Sequence, residues 1–510
     1  MAQGLGLIHR RIYRFTRWLG LAAALPLFWA CLDRTLTPPD NHPSTTVTNK
    51  QPATLENKLD ILFMIDDSPS MAPLQQKLLD QFPVFMNRLK MIPAPDGNGT
   101  ALPNIHVAVV SSDTGPGQFL TTPGCHFEGD HGQFQFQPTG TCTTPPLHAT
   151  PTQQTFLSAA KNQAVKNYDG DISDAFKCIA ALGQKGCGFE GQLKSVRWAL
   201  DPSNVPAGNE GFLRSDAFLA VILITNEDDC SVPDTSDLVD PTQTLMSDPL
   251  GPYWSFRCNE FGHLCMINGT LQPPPRGAAD NLQGCTSNET DSGRLTKVRD
   301  EVAFLRSLKT DPDNQIFVAA ITGLPTSYGI AMIKLDGDVE PHPNMKHSCT
   351  NGAEYADPAV RIKNWVDSFG DHGLIQTICA DNFRDSLSAI ADGVGVLVKP
   401  QCIKGTLVDR DPTTPALEPE CQVSDTFVDA QNHTHEAAVH ACAQNPTPPC
   451  WSLDDSAMCT TGGRLLNVTR GPDGAPDGLT TTISCATCIA GVAHAGCACV
   501  AGKEVDGCLH

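Results

Sequence analysis

The sequence predicts an α/β fold, a doubly wound and mostly parallel sheet with disulfide-rich insertions, followed by a small cysteine-rich segment that is β-rich. Three observations predict it. Four runs, DILFMI (60–65), IHVAVVSS (105–112), FLAVILIT (218–225) and IFVAAIT (316–322), are almost continuously apolar, as parallel strands covered on both faces must be. Amphipathic segments alternate with them, the pattern of helices layered on such a sheet. Beyond residue 400, ten cysteines fall within 110 residues, a density that reads as a disulfide scaffold.

Taken in order, residues 1–30 read as a secretory signal. Arg10, Arg11, Arg14 and Arg17 precede the apolar run WLGLAAALPLFWA (18–30), which is too short to span a bilayer comfortably. The run ends in Ala30-Cys31, and a small residue before cysteine resembles the lipobox of bacterial lipoproteins, which implies that Cys31 carries the lipid anchor. The alternative is plain cleavage and secretion. The odd total of 21 cysteines agrees with one set aside for lipid, leaving 20 to pair. In an exported chain these are better read as bridges than as free thiols. Residues 31–58, polar and rich in Pro and Thr, are expected to be a flexible tether.

The main domain spans 59–400. In 293–309, Leu295, Val298, Val302, Leu305 and Leu308 recur at helical spacing. Asp357-Pro358 is expected to open a helix through Phe369, and Asp381 another whose face carries Phe383, Leu387, Ile390 and Val394. Two long insertions follow strands, at 113–154 and 230–292. Both should emerge on one rim as disulfide-tied caps, with Cys125–Cys142 the expected bridge of the first. In the segment 401–510, LLNVTR (465–470) and LTTTISC (479–485) are expected as a hairpin or neighbouring strands.

The net charge of −21 argues against nucleic acid as a partner, because phosphate binding needs a basic footprint. The informative stretch is LDILFMIDDSPSM (59–71). A buried strand ends on two aspartates and two spaced serines, at the end where α/β sheets hold their ligands. Oxygen side chains gathered there suggest a hard cation such as Mg2+, Ca2+ or Mn2+. Alternation lets Asp66, Ser68 and Ser70 point one way and Asp67 the other. The competing reading is that these residues only cap the next helix.

Strand-D-x-S-x-S at the start of such a domain resembles the metal-ion-dependent adhesion site of von Willebrand factor type A domains. With GCGFEGQL, VILITNEDDCS and a late IC-x-DNF helix, the stretch 59–400 is similar to the cysteine-rich type A proteins exported by some bacteria. The resemblance implies that Ser68 and Ser70 bind the ion directly and that Asp66 acts largely through water. It also implies a threonine from a second loop and an aspartate after a central strand. Here the second loop offers Glu190 and the strand is followed by Asn226, with Glu227 or Asp228 placed to compensate. The implied set is therefore Asp66, Ser68, Ser70, Glu190, Asn226 and Asp228, with a partner carboxylate at the ion's open position.

Other motifs fail on spacing. HTHEAAVH places His435 and His440 five apart, where a zinc peptidase helix needs four. Cys485-x-x-Cys488 and Cys497-x-Cys499 read as disulfide cysteines in an exported chain. No G-x-S-x-G elbow surrounds a serine. The expectation is a non-enzymatic envelope lipoprotein, held to a membrane only through its lipid and binding a protein or surface ligand. The alternatives are a scaffold with a vestigial site and a secreted hydrolase with its site in the insertions.

Overall fold

The structure is a computed structural model. It describes residues 44–52, 58–92, 100, 102–119, 122–125, 128–137, 142, 147, 154–335, 340–398, 402–403, 405–414, 417–428, 433–454, 464–470, 479–489 and 495–497. Cys31 and the signal segment lie outside these residues.

The first strand, β1 (Ser44–Pro52), precedes the α/β domain and takes no part in its sheet. That domain begins with β2 (Lys58–Ile65), a 3-10 turn (Pro69–Met71) and α1 (Ala72–Leu89). Next come β3 (Asn104–Ser111), β4 (Leu157–Ala160), β5 (Val165–Lys166), α2 (Ile172–Ala180), α3 (Gln192–Leu200) and β6 (Phe218–Ile224). The second insertion folds into α4 (Phe256–Gly262), β7 (His263–Ile267), β8 (Thr270–Gln272) and β9 (Gln283–Ser287). The sheet resumes through α5 (Val298–Ser307), α6 (Pro312–Gln315) and β10 (Ile316–Thr322). Two small hairpins follow, β11 (Ile330–Ile333) with β12 (His342–Met345), and β13 (Cys349–Asn351) with β14 (Glu354–Ala356). The domain closes with α7 (Val360–Asp367), β15 (Gly373–Thr377) and α8 (Arg384–Val398).

The central sheet has the order β15-β10-β6-β2-β3-β4-β5. Its first five strands run parallel, and β4 and β5 add an antiparallel edge. Side chains alternate across a strand, and β2 shows why both faces need cover. Leu59, Ile61, Phe63 and Ile65 pack with α1, α2 and α8, whereas Leu62 and Met64 pack with α3, α5 and α7. The apolar runs are thus continuous because each strand serves two cores. Phe63 illustrates the fit, with ring centroids of Phe82, Phe85 and Phe176 at 5.7, 5.7 and 5.0 Å.

From β2 the chain builds outward through β3 to one side, then returns to place β6 on the other. Strand order reverses between β2 and β6, and the C-terminal ends of strands at such a switch point are where α/β sheets hold their ligands. Asp66 follows β2 and Thr225-Asn226 follows β6, and Asp66 N–H donates to Ile224 O across the gap at 2.9 Å.

The helix starts differ from expectation in detail. Asp357 does not cap α7. It binds His347 Nδ1 at 2.7 Å, and the helix begins at Val360. At α8 the capping side chain is Asn382, whose Oδ1 accepts from Arg384 N–H at 3.0 Å.

The C-terminal module holds β16 (Cys402–Ile403), β17 (Cys421–Val428), β18 (Thr434–Ala441), β19 (Cys450–Asp454), β20 (Arg464–Thr469) and β21 (Thr480–Cys488). Its sheet order is β1-β21-β17-β18-β19-β20-β16. Two expectations are corrected here. The stretch read as a flexible tether contains β1, which pairs antiparallel with β21 from Ser44↔Cys488 to Pro52↔Thr480. Threonine and valine suit a strand once a partner edge exists, and that partner lies at the far end of the sequence. LLNVTR and LTTTISC do form strands, β20 and β21, but β17, β18 and β19 lie between them. HTHEAAVH lies on β18 rather than on a helix, so its histidines cannot form a helical zinc motif.

The bridge Cys125–Cys142 does not form. Cys125 pairs with Cys187 and Cys142 with Cys178. The insertion after β3 therefore crosses to the segment around α2 instead of closing on itself. The second insertion is tied internally by Cys230–Cys258 and Cys265–Cys285. Among the described residues, no helix is long and apolar enough to cross a membrane.

Candidate functional site

Asp66 is fully buried at the end of β2. Its Oδ1 accepts from Ser68 N–H at 2.8 Å and from Ser112 Oγ at 3.3 Å, and its Oδ2 accepts from Thr225 Oγ at 2.7 Å. Burial pushes its carboxyl above the usual range, against the pull of those hydrogen bonds. Ser68 Oγ lies 3.2 Å from Ser70 Oγ, which donates to Asn226 Oδ1 at 3.1 Å. Asn226 is in turn held by Nδ2 donating to Tyr355 O at 3.1 Å. The structure thus brings Asp66, Ser68, Ser70 and Asn226 into one hydrogen-bonded group.

The cap reading fares poorly. Ser68 is the N-cap of the 3-10 turn and Met71 that of α1, and neither makes a side-chain cap bond. The strand end is instead fixed by Gln75, whose Nε2 donates to Asp66 O at 2.8 Å and to Gly183 O at 2.9 Å.

Glu190 joins from the loop before α3. It is buried, and its carboxyl is pushed well above its ordinary value by burial, then by the charges of Glu227 and Asp66. Glu227 bonds to Glu190 and is pushed up by burial, then by Asp357 and Asp66. The two acids face each other beside Asp66. The loop that delivers Glu190 is held by the Cys125–Cys187 bridge, by Cys230 N–H donating to Glu190 O at 2.8 Å, and by Gly186 N–H donating to Asp67 O at 3.0 Å. A Cβ at Gly186 would push against the Asp67 carboxylate, so a larger residue there would have to move that side chain.

Two expectations change. Asp67 does not leave the site. Its Oδ1 lies 3.3 Å from the same Ser112 hydroxyl that Asp66 uses, and burial with Asp66, Asp113 and Asp130 raises its carboxyl to about 8. Asp228 does not join the group. Its Oδ2 binds His263 Nε2 at 2.7 Å and Arg361 N–H at 2.8 Å, and its Oδ1 accepts from Ile362 N–H at 3.0 Å. Burial alone would raise Asp228, but His263 and these backbone donors outweigh it and hold the carboxyl low. Its role is to anchor the start of α7 and the second insertion. Next to it, Asp229 and Arg361 form an ion pair at 2.8 Å with both side chains fully buried.

Sequence reasoning missed Ser112, Thr225, Gln192 and Tyr355. Ser112 and Thr225 each follow a buried strand, as Asp66 does, and that shared position was the available signal. Gln192 and Tyr355 gave none. Tyr355 bonds to Ser70 through its hydroxyl and stacks on His347 at 4.0 Å, with 24° between the rings.

The donors are all oxygens, from hydroxyl, amide and carboxylate, and such a set suits a hard cation rather than a thiolate-seeking one. Among the described residues, no three His, Cys, Asp or Glu side chains converge as a metal cage. A cation here would be held mainly by Ser68, Ser70 and Asn226, with the carboxylates acting through water or charge. One buried acceptor next to this group is bare. Gln192 is fully buried and its Nε2 donates to Thr225 Oγ at 3.2 Å, yet its Oε1 has no hydrogen-bond partner. A buried acceptor left bare costs about 1–3 kcal/mol, and a water beside it would satisfy it.

No protein-family model matches the chain, and no curated protein does. Solved structures give weak likenesses. The pilus adhesin SpaC from Lactobacillus rhamnosus GG is 13% identical, with a TM-score of 0.25, over 87% of this chain and 41% of that one. The pilus adhesin RrgA from Streptococcus pneumoniae is 9% identical, with a TM-score of 0.26, over 87% and 58%. The vWF domain of the type V pili tip protein Mfa5 from Porphyromonas gingivalis is 13% identical, with a TM-score of 0.27, over 68% and 99%. The chain thus spans about half the length of the two adhesins. Likeness of this size carries no argument about function.

Proposed function

We propose that this is a non-enzymatic binding protein of the bacterial cell envelope, anchored through Cys31, whose type A-like domain captures a protein or surface ligand at a cation held between β2 and β6. The observation that carries the reading is the joined group Asp66–Ser68–Ser70–Asn226 at the strand ends where strand order reverses. It is an all-oxygen set on the ends of two rigid strands, and the insertions around it supply a rim able to choose a partner. The bound cation would supply Lewis acidity toward a partner oxygen. The protein's own part is to fix the two serine hydroxyls and the Asn226 amide, and to keep Asp66 oriented through Thr225 and Ser112.

A scaffold with a closed site is the competing reading, favoured by the fact that Asp66 already has three protein donors. Equilibrium dialysis with Mn2+ separates the two. The binding reading expects one Mn2+ per chain, lost in Asp66→Ala and competed by Mg2+ or Ca2+. Absence of any bound ion in the folded parent overturns it.

A further inference from the structure

We propose that a cavity on the outer face of α3 binds a small organic anion, a carboxylate or phosphate ester carried on a flat apolar body. None of its lining residues belongs to the group around Asp66, so this site needs no cation there.

The helix sets the cavity up. On α3, Leu193, Val196, Ala199 and Leu200 pack into the core, and helical spacing turns Lys194, Arg197 and Trp198 the other way. The chain entering the second insertion (232–234) and the chain leaving it (295–297) close over that side. Between them lies a space of about 450 Å3, a size at which small-molecule sites are found. Trp198, Val232, Pro233 and Leu295 give it an apolar wall, suited to a flat hydrocarbon body.

Charge decides what that body must carry. Three cations line the cavity, Lys194, Arg197 and Lys297. Arg197 Nε donates to the buried Glu301 Oε2 at 2.7 Å, and that pair is closed. Lys194 Nζ reaches Asp234 Oδ1 at 2.6 Å and Lys297 Nζ reaches Asp291 Oδ1 at 2.6 Å, but those two carboxylates are 67% and 98% exposed. An ion pair with a carboxylate so open to water is held weakly and exchanges readily. The lysines stay behind when it does, for their side chains are only 7% and 24% exposed. Lys194 is also fixed by Val232 O at 2.9 Å and by the Trp198 ring, whose centroid lies 4.3 Å from its Nζ. An entering anion thus meets two ammonium groups whose present partners can swing into solvent. An entering cation finds no matching acid at depth, because Glu301 is committed to Arg197 and Asp300 is 63% exposed beside Arg299.

The wall holds one more unmet group. Thr296 is part of it, and its hydroxyl is buried with no hydrogen-bond partner among the described residues. Buried polar groups are rarely left so, and a ligand rich in acceptor oxygens is the kind that would pair it.

The test uses the mature full-length chain in chelator and one apolar body carrying different charges. The probes are 2-naphthylacetate, 2-naphthyl phosphate, 2-naphthylacetamide and 2-(2-naphthyl)ethylamine, read by saturation-transfer NMR and by titration of naphthalene fluorescence. The expected result is that at least one anion binds about tenfold or more tighter than the amide and the amine. The two anions separate a carboxylate ligand from a phosphate ester. Lys194→Met with Lys297→Met should erase the preference for the anion and leave the amide unchanged. Asp234→Asn with Asp291→Asn should tighten the anion about threefold by freeing both lysines, a gain that misfolding cannot imitate. Trp198→Ala should weaken anion and amide alike, by about tenfold. Amide or amine binding as tightly as either anion, an unchanged anion affinity in the Asp234→Asn, Asp291→Asn protein, or no binding of any probe at millimolar concentration overturns the proposal.

Discussion

The α/β domain and the C-terminal module use the same chemistry in opposite proportions. The domain packs two large apolar layers against one sheet. Its described bridges tie loops, helices and insertions to one another, and none joins two strands of the central sheet. The module has one small core around Ile403, Val423, Val439, Trp451, Leu466 and Ile483. Its sheet is stitched directly, with Cys421–Cys485 joining the adjacent strands β17 and β21, and Cys442, just past β18, bridged to Cys450 on β19. A smaller domain buries a smaller share of its surface and leans more on such staples than a large one. Bridges are therefore expected to carry more of the stability in the module and to shape the rim in the domain.

The largest test of that contrast is reduction. A disulfide lost from a small exported domain costs about 2–5 kcal/mol, so losing several should unfold the module outright. Dithiothreitol followed by limited proteolysis and mass spectrometry should cut the region 402–497 rapidly while β2, β3, β6 and β10 stay protected. Loss of both regions at the same reductant concentration would show that the contrast is false.

Matched substitutions come next. Each region buries an aspartate–arginine pair, Asp229–Arg361 in the domain and Asp425–Arg470 in the module. Removing one partner of a buried pair costs about 3–5 kcal/mol because the other charge is stranded. Asp425→Ala should eliminate the module's calorimetric transition, and Arg361→Ala should only lower that of the domain by several degrees. Equal shifts in both would mean that the two regions melt as one unit.

Acid should act on the domain through His106. His106 on β3 is held down to about 4 by burial, then by Arg214, although Asp60 pulls the other way. A histidine whose folded value is depressed favours the folded state above its unfolded value of about 6.5, and that stability is lost as pH falls toward 4. The cost across this window is on the order of 3 kcal/mol. The buried acids Asp67 and Glu227, with carboxyls raised to about 8, work the other way and favour the fold as pH falls. The readout is therefore the difference: between pH 7 and 4.5 the parent's domain should lose melting temperature relative to His106→Gln. An equal change in parent and variant would remove His106 from the account.

The smallest effect is that of the cation. A ligand at a hundredfold excess over Kd adds about 2.7 kcal/mol to the state it binds. Millimolar Mg2+ or Ca2+ added to chelated protein should raise the domain's melting temperature by a few degrees, leave the module's unchanged, and do nothing in Asp66→Ala. A rise in the module, or an equal rise in the variant, would place the ion elsewhere.

What the sequence determined by itself is what depends on neighbours along the chain. The four apolar runs could be read as buried strands because a strand covered on both faces has no polar side to interrupt it. Their positions match β2, β3, β6 and β10 to within two residues at either end. Asp66, Ser68 and Ser70 were legible together because one short loop carries all three. Asn226 and Glu190 came only from the resemblance, as the groups standing where it expects an aspartate after a central strand and a threonine from a second loop.

Only the tertiary structure decided which distant groups meet. Adjacent acids separated at the end of β6, where Glu227 turned toward Glu190 and Asp228 toward His263. Nothing local to residues 226–229 distinguishes those two directions. Cys125 chose Cys187 over Cys142 because the insertion folds across the rim, and spacing along the chain does not encode that path. β1 is polar and threonine-rich, a composition equally suited to a loose linker. It becomes a strand because β21 offers a nine-residue edge, supplied by residues more than 400 positions away. Local pattern sets which segments can be strands, while pairing is settled by the free energy of contacts that close only when the whole chain has folded.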